Sequence, residues 1–206
     1  MLKIYGQPKS RAFRVLWMAN EAGLAYEHIP VSIMVEGAQC KEPWFVEINP
    51  NARVPAIDDD GFRLWESAAI NLYLAEKSKC AIYPSTAQGR GRMLQWAFFT
   101  SNDVEPPMIT MFQNRVLFQP EKRNAALADS AEAQLVARLA ILEGHFEKHK
   151  YFGGEGWDMA DFMVASVVYT LAAIKYDLSK FPKFNAWLMA SIERPAAKVA
   201  RKLREG

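Results

Sequence analysis

Asn49-Pro50-Asn51-Ala52-Arg53-Val54-Pro55-Ala56-Ile57-Asp58-Asp59-Asp60-Gly61-Phe62-Arg63-Leu64-Trp65-Glu66-Ser67-Ala68-Ala69-Ile70 is the stretch on which the fold turns. Pro55 pushes Val54 toward extended φ/ψ, so a strand is expected over 54–57. Asp58-Asp59-Asp60-Gly61 reads as a hairpin turn, with Gly61 supplying a positive-φ position. Phe62 to Trp65 is the return strand, and Ser67 opens a helix running to Lys77. A cis Val54-Pro55 bond would leave the Val54 N–H and C=O open to an extended peptide lying alongside as an added strand. Eleven residues on, a helix N-terminus offers unpaired N–H groups and partial positive charge to a carboxylate. Strand, turn, strand and helix together form a place to hold a small anionic peptide.

Working outward, the first eighty residues alternate strand and helix signals. Leu2 to Tyr5 is a short strand. Ser10 to Ala22 has helical apolar spacing, with Gly23 as its stop. Tyr26 to Val31 is a second strand, parallel to the first through a right-handed crossover. Glu42 to Ile48 is a short helix. After a Pro-, Ser- and Gly-containing linker at 81–89, the rest reads as helix: 90–118 broken or kinked at Pro106-Pro107, then 120–149, 159–174, 181–192 and 195–203. The expected organisation is an α/β domain over 1–80, a linker, and an all-α domain over 90–206.

The bulk composition narrows the function. The chain has 206 residues, half of them hydrophobic, which suffices for a core without disulfides or metal. A net charge of +2 gives no footprint for nucleic acid or an anionic membrane. Cys40 and Cys80 are too few for a disulfide framework and lack metal spacing, which fits a reducing cytoplasm. No apolar run is long enough to span a membrane, and the first residues do not form a signal peptide. His145 and His149 are four apart on a helix with no third ligand evident, so no metal site is expected.

Several side chains carry candidate chemistry. Glu66 can take an ammonium and Ser67 can add its hydroxyl to a carboxylate, which matches the zwitterionic end of a γ-glutamyl group; both residues also suit an ordinary helix start. Lys41 and Arg53 are candidate partners for a second carboxylate, and each equally suits a solvated surface. Ser10, after the first strand and at the start of the first helix, can donate a hydrogen bond to a sulfur anion, or serve only as an N-cap. A free thiol titrates near about 8.5, and lowering that by about two units takes roughly 2.7 kcal/mol. One charge-assisted hydrogen bond plus a helix dipole is of that size. Tyr5 is the rival hydroxyl, with a core aromatic as its plainer reading, and Arg11 a rival cation. No cysteine follows the first strand, so disulfide exchange lacks a nucleophile. Asp158, with Asp161 three residues on and Trp157 and Phe162 around them, reads as a helix-capping box with a hydrophobic staple.

Taken in order, Ser10 with Arg14-Val15-Leu16, Asn49-Pro50, Val54-Pro55-Ala56, Glu66-Ser67-Ala68-Ala69-Ile70 and Trp157 to Phe162 resemble the cytosolic glutathione S-transferases over essentially the full chain, in a bacterial-type, serine-class-like form. The resemblance implies a thioredoxin-like N-terminal domain with a cis-proline, an α-helical C-terminal domain, and a homodimer. It implies that Val54 holds the cysteinyl backbone of glutathione, that Glu66 and Ser67 hold the γ-glutamyl end, and that Lys41 and Arg53 lie near the glycyl carboxylate. It implies glutathione as co-substrate, an apolar electrophile as the second, and Ser10 as the activating hydroxyl of a detoxification enzyme. A non-catalytic binding or regulatory protein, or a glutathione-dependent peroxidase or dehalogenase, are the alternatives on the same site.

Overall fold

The computed structural model describes residues 1–33 and 37–206. Its strands are β1 (Leu2–Tyr5), β2 (Tyr26–Ile29), β3 (Ala56–Asp59) and β4 (Phe62–Trp65), in the order β2-β1-β3-β4. β1 and β2 are parallel, joined through α1 (Ala12–Glu21), while β1 with β3 and β3 with β4 are antiparallel. A parallel pair requires a crossover long enough to reverse direction twice, and α1 supplies it. Helix α2 (Pro43–Val46) follows a short 3₁₀ turn at Gln39–Lys41, and α3 (Ser67–Lys77) follows β4 directly.

The expected four-residue acidic turn is tighter in the structure. Asp58 and Asp59 belong to β3, and only Asp60 and Gly61 turn, both at positive φ. Such a two-residue turn matches the twist of the strands it joins. Asp58 accepts a hydrogen bond from the Gly61 N–H at 2.8 Å and so closes the turn from its side chain.

Helix α1 is buried on every face from Ala12 to Ala19. A helix that is apolar nearly all round needs cover on more than its sheet side. α3 provides part of it, and the last helix, α9 (Pro195–Glu205), provides the rest. The chain accordingly divides into two compact units, Met1–Tyr83 with Glu193–Gly206, and Pro84–Ile192. This differs from the expected grouping of 90–206 in one helical domain. α9 buries Ala197 and Ala200, three apart, and these small side chains permit close approach to α1.

The second unit is helical. α4 (Ala87–Phe99) starts at Thr86, whose hydroxyl accepts the Gly89 N–H at 3.0 Å. It continues through a π-helical turn at Thr100–Val104 into α5 (Glu105–Phe112) and a second π turn at Gln113–Leu117. At Pro106 and Pro107, expected to break or kink this helix, the α-helical pattern is interrupted by the π turn just before them, and α5 restarts with the prolines in its first turn, where a missing N–H costs least. α6 (Ala125–His145) buries Ala128, Ala131, Leu135, Leu139 and Leu142 along one stripe. α7 (Met159–Ala173) is buried along most of its length, and α8 (Pro182–Ile192) packs on it.

Candidate functional site

The sheet register gathers the sequence-nominated residues at one end. Ala56 pairs with Tyr5 on one side and with Trp65 on the other. One residue beyond this row lie Gly6, Pro55 and Glu66. The loop after β1, the Val54-Pro55 segment and the start of α3 are therefore neighbours. The Val54-Pro55 bond is cis, and Val54 itself lies outside the ladder, which begins at Ala56.

Gly6 brings the first two of these segments into contact. At φ +133°, a Cβ on it would lie 2.8 Å from the Ala12 Cβ and 2.9 Å from the Val54 Cβ. Only glycine allows this close approach of helix start, loop and Val54. The Gly6 N–H donates to the Ile29 carbonyl at 2.9 Å, which fixes the loop to the end of β2.

Ser10 lies in this loop, two residues ahead of α1. Its hydroxyl accepts the Ala12 N–H at 3.1 Å and donates to the Gln7 carbonyl at 2.6 Å. The Gln7 carbonyl also accepts the Ser10 N–H at 3.0 Å. The hydroxyl proton can therefore swing away without orphaning that carbonyl, while the Ala12 N–H keeps the oxygen in place. Thus Ser10 both ties down the helix start, as its plainer reading held, and retains a donor that can be redirected.

The rival hydroxyl is placed differently. Tyr5 belongs to a core cluster with Val31, Cys40, Phe45 and Ile48, and its ring meets Trp44 and Phe45 at centroid distances of 6.4 and 6.1 Å. Burial first, then the negative charges of Asp58 and Glu27, push its phenol above its ordinary range and keep it protonated.

Glu66 and Ser67 form the start of α3. Glu66 is the N-cap residue, makes no side-chain cap bond, and has its backbone at φ +73°, ψ +113°. A non-glycine residue at positive φ is uncommon and costs about 1–3 kcal/mol, and such strain clusters at binding sites. The Glu66 side chain is exposed and Ser67 is buried at the first helical position. The first N–H groups of a helix have no partner within it, and their partial positive charge suits an anion.

Lys41 ends the 3₁₀ turn and is exposed. The same turn is tied to the loop after β2 by the Cys40 N–H donating to the Ser32 carbonyl at 3.2 Å. Arg53 is exposed, and its carbonyl accepts from the Asn49 side-chain amide at 2.6 Å. Asn49, 3 % exposed, also accepts the Asn51 N–H at 3.0 Å. It thus staples the whole approach to Val54, a role that the sequence reading, which quoted Asn49 only as part of a motif, did not assign. The signal was present: Asn49-Pro50-Asn51 has the composition of an Asx turn.

In the helical unit the capping box forms as its spacing suggests. Asp158 accepts the Ala160 N–H at 2.8 Å, and Asp161 reaches back to the Asp158 N–H at 3.2 Å. Trp157 meets Phe162 at a ring separation of 6.5 Å. Asp161 also accepts from the Phe152 N–H at 3.1 Å, the Gly153 N–H at 3.4 Å and the Trp187 indole at 2.7 Å. These long-range donors were not legible from the spacing. Burial pushes the Asp161 carboxyl up to about 6, against the donors that favour its anion. A Cβ on Gly153 would fall 1.8 Å from an Asp158 oxygen, so only glycine fits beside the box.

His145 stacks on His149 and Phe152, and its Nε2 lies 2.9 Å from the Tyr151 carbonyl. Burial lowers its tendency to protonate. Among the described residues no group of three or more His, Cys, Asp or Glu is placed to hold a metal ion. In the helix after Thr86, Met108 and Met111 are core residues, and Phe98 is 60 % exposed. No described helix is long and apolar enough to cross a membrane.

Comparison with known proteins agrees with this geometry. Residues 1–76 match the glutathione S-transferase N-terminal domain and residues 106–195 the glutathione S-transferase C-terminal domain. Glutathione S-transferase 3 of Zea mays is 31 % identical over 205 residues, covering 95 % of this chain and 90 % of its own. Glutathione S-transferase D7 of Drosophila melanogaster is 31 % identical over 192 residues, covering 91 % and 82 %. A theta class glutathione S-transferase from Xanthomonas axonopodis pv. citri, solved with glutathione bound, superposes with a TM-score of 0.89 at 28 % identity, covering 97 % of this chain and 96 % of its own. The chain belongs to the glutathione S-transferase family.

Proposed function

We propose that this protein is a glutathione transferase in which Ser10 steadies the glutathione thiolate for attack on an apolar electrophile. The observation that carries this reading is the sheet register. It sets the Ser10 loop, Val54 and the Glu66-Ser67 helix start side by side at one end of the sheet. The Val54 N–H and C=O pair with the cysteinyl backbone. Glu66 takes the γ-glutamyl ammonium, and Ser67 with the first N–H groups of α3 takes its carboxylate. Lys41 and Arg53 face the glycyl carboxylate.

With glutathione seated, the thiol proton leaves to solvent and the Ser10 O–H turns from the Gln7 carbonyl to the sulfur. The thiolate forms a C–S bond to the electrophilic carbon. A leaving group departs with its electron pair, or, in an addition, the adjacent carbanion collects a proton. The enzyme works as a cytoplasmic homodimer, as the resemblance to its family implies.

Two measurements test the core of this reading: retention on immobilised glutathione and conjugation of a chloronitrobenzene. The Ser10→Ala variant is expected to bind glutathione normally and conjugate about 100-fold more slowly. An undiminished rate would remove Ser10 from the mechanism, and failure of the wild type to bind would remove glutathione.

A further inference from the structure

Helix α9 returns to the first unit and lies along α1, with a polar anchor at each end. At the C-terminal end of α1, Arg194 pairs with Glu21, which also accepts from the Trp17 indole at 3.3 Å. At the opposite end, Arg204 reaches the loop that carries Ser10. Its Nη1 donates to the Pro8 carbonyl at 2.9 Å and approaches the Ser10 carbonyl at 3.4 Å. Its guanidinium sits over the Phe13 ring, 5.5 Å from the centroid.

The loop is also tied at its start, where the Gly6 N–H donates to the Ile29 carbonyl at 2.9 Å, and within itself, where the Ser10 N–H donates to the Gln7 carbonyl at 3.0 Å; Arg204 adds a hold on the Pro8 carbonyl between them. Pro8 has no N–H to donate, and the ladder of β1 ends at Tyr5. The flat guanidinium lies over the Phe13 ring while its Nη1 meets both carbonyls, and a lysine ammonium, a compact point charge without that planar face, would not reproduce this arrangement. The two gripped carbonyls flank the segment whose side-chain oxygen is already held by the Ala12 N–H. Backbone displacement here translates directly into displacement of the Ser10 oxygen, and hydrogen-bond stabilisation falls steeply with distance and angle.

We infer that Arg204 is a positioning residue for thiol activation, holding the Pro8–Ser10 loop so that the Ser10 hydroxyl stays where the glutathione sulfur arrives. This rests on the assignment of Ser10 made above. Arg204 acts through the loop and makes no contact with substrate in this role.

A double-mutant cycle on the full chain tests it, reading the pH profile of kcat/KM, the thiolate absorbance of bound glutathione and the KM for glutathione. Ser10→Ala is expected to lower kcat/KM at neutral pH about 100-fold and to move the profile to higher pH. Arg204→Ala is expected to lower it about tenfold, with the same direction of profile shift and KM for glutathione within about twofold. Combined with Ser10→Ala it is expected to add less than about twofold, because its effect passes through Ser10. Arg204→Lys, which keeps the charge and most of the stem and guards against a folding failure, should recover only part of the loss.

A lowered melting temperature with an unmoved pH profile in both Arg204 variants would overturn the proposal and leave a purely structural strap. An equal loss in both Ser10 backgrounds would also overturn it, placing the arginine's charge on the sulfur directly. An unmoved profile in Ser10→Ala would instead remove the assignment of Ser10, and this proposal with it.

Discussion

Two helix starts in this molecule solve the same problem in opposite ways. At α7, every expectation for a closed N-terminus is met: Asp158 caps, Asp161 caps back, and two further backbone N–H groups and an indole converge on the same buried carboxylate. At α3, Glu66 makes no side-chain cap bond, sits at positive φ and is exposed. A helix N-terminus left open at a strained residue forgoes stability that a cap would provide. The contrast separates a start capped to hold the fold from one left without a side-chain cap, where we propose the ligand binds, although both are acidic residues ahead of a helix in the sequence.

The comparison can be broken most forcefully at α7. Asp161→Ala is expected to destabilise the protein by about 4 kcal/mol in denaturant unfolding, because it strands several buried donors together. A loss below about 1 kcal/mol would mean that the box is ornamental. The matching change at α3 should have the reverse signature. Glu66→Gln is expected to weaken glutathione binding about 30-fold by calorimetry, which is about 2 kcal/mol for a lost charged contact. Its unfolding free energy should stay within about 0.5 kcal/mol of wild type, since no cap bond is lost. A stability loss with unchanged affinity would invert the assignment.

The smallest expected effect is a pH dependence. The Asp161 carboxyl titrates near about 6 in the folded protein and at its ordinary value of 3.8 when unfolded. Between those values the native state binds the proton more tightly, so this group's contribution to stability rises as pH falls. Burial raises the Asp158 carboxyl in the same direction. From pH 7 to pH 5 the wild type should gain about 1 kcal/mol relative to Asp161→Asn, which has no proton to bind. A relative loss over that interval would show that the N–H donors outweigh burial.

Much of the fold was legible because its signals are local. The β4 and α3 bounds follow from alternation, from the turn glycine and from helical spacing, and they match the structure residue for residue. The capping box was legible for the same reason, since Asp158 and Asp161 are three residues apart. Other features were read less completely. The helix was expected to break or kink at Pro106-Pro107, and the π turns at Thr100–Val104 and Gln113–Leu117, one on each side of α5, were not foreseen. The positive φ of Glu66 has no sequence signal, because that conformation is normally announced by glycine or asparagine. The hydrogen-bonding of Ser10 fell between its two readings, as a helix-start tie that keeps a movable proton.

From the sequence alone came the types and order of the elements, the join between a mixed α/β part and a helical part, and the side chains with chemistry to offer a peptide thiol. These depend on proline, glycine, periodicity and spacing within a few residues, where steric and hydrogen-bonding rules act locally. Tertiary structure decided which of those side chains meet. It set Gly6 between Ala12 and Val54, brought Phe152 and Trp187 to Asp161, and returned α9 to the first unit, so that Arg204 grips a carbonyl 196 residues away. Such contacts arise only when buried surfaces find their cover, and a small-residue stripe such as Ala197 and Ala200 does not say in advance which surface it will fit.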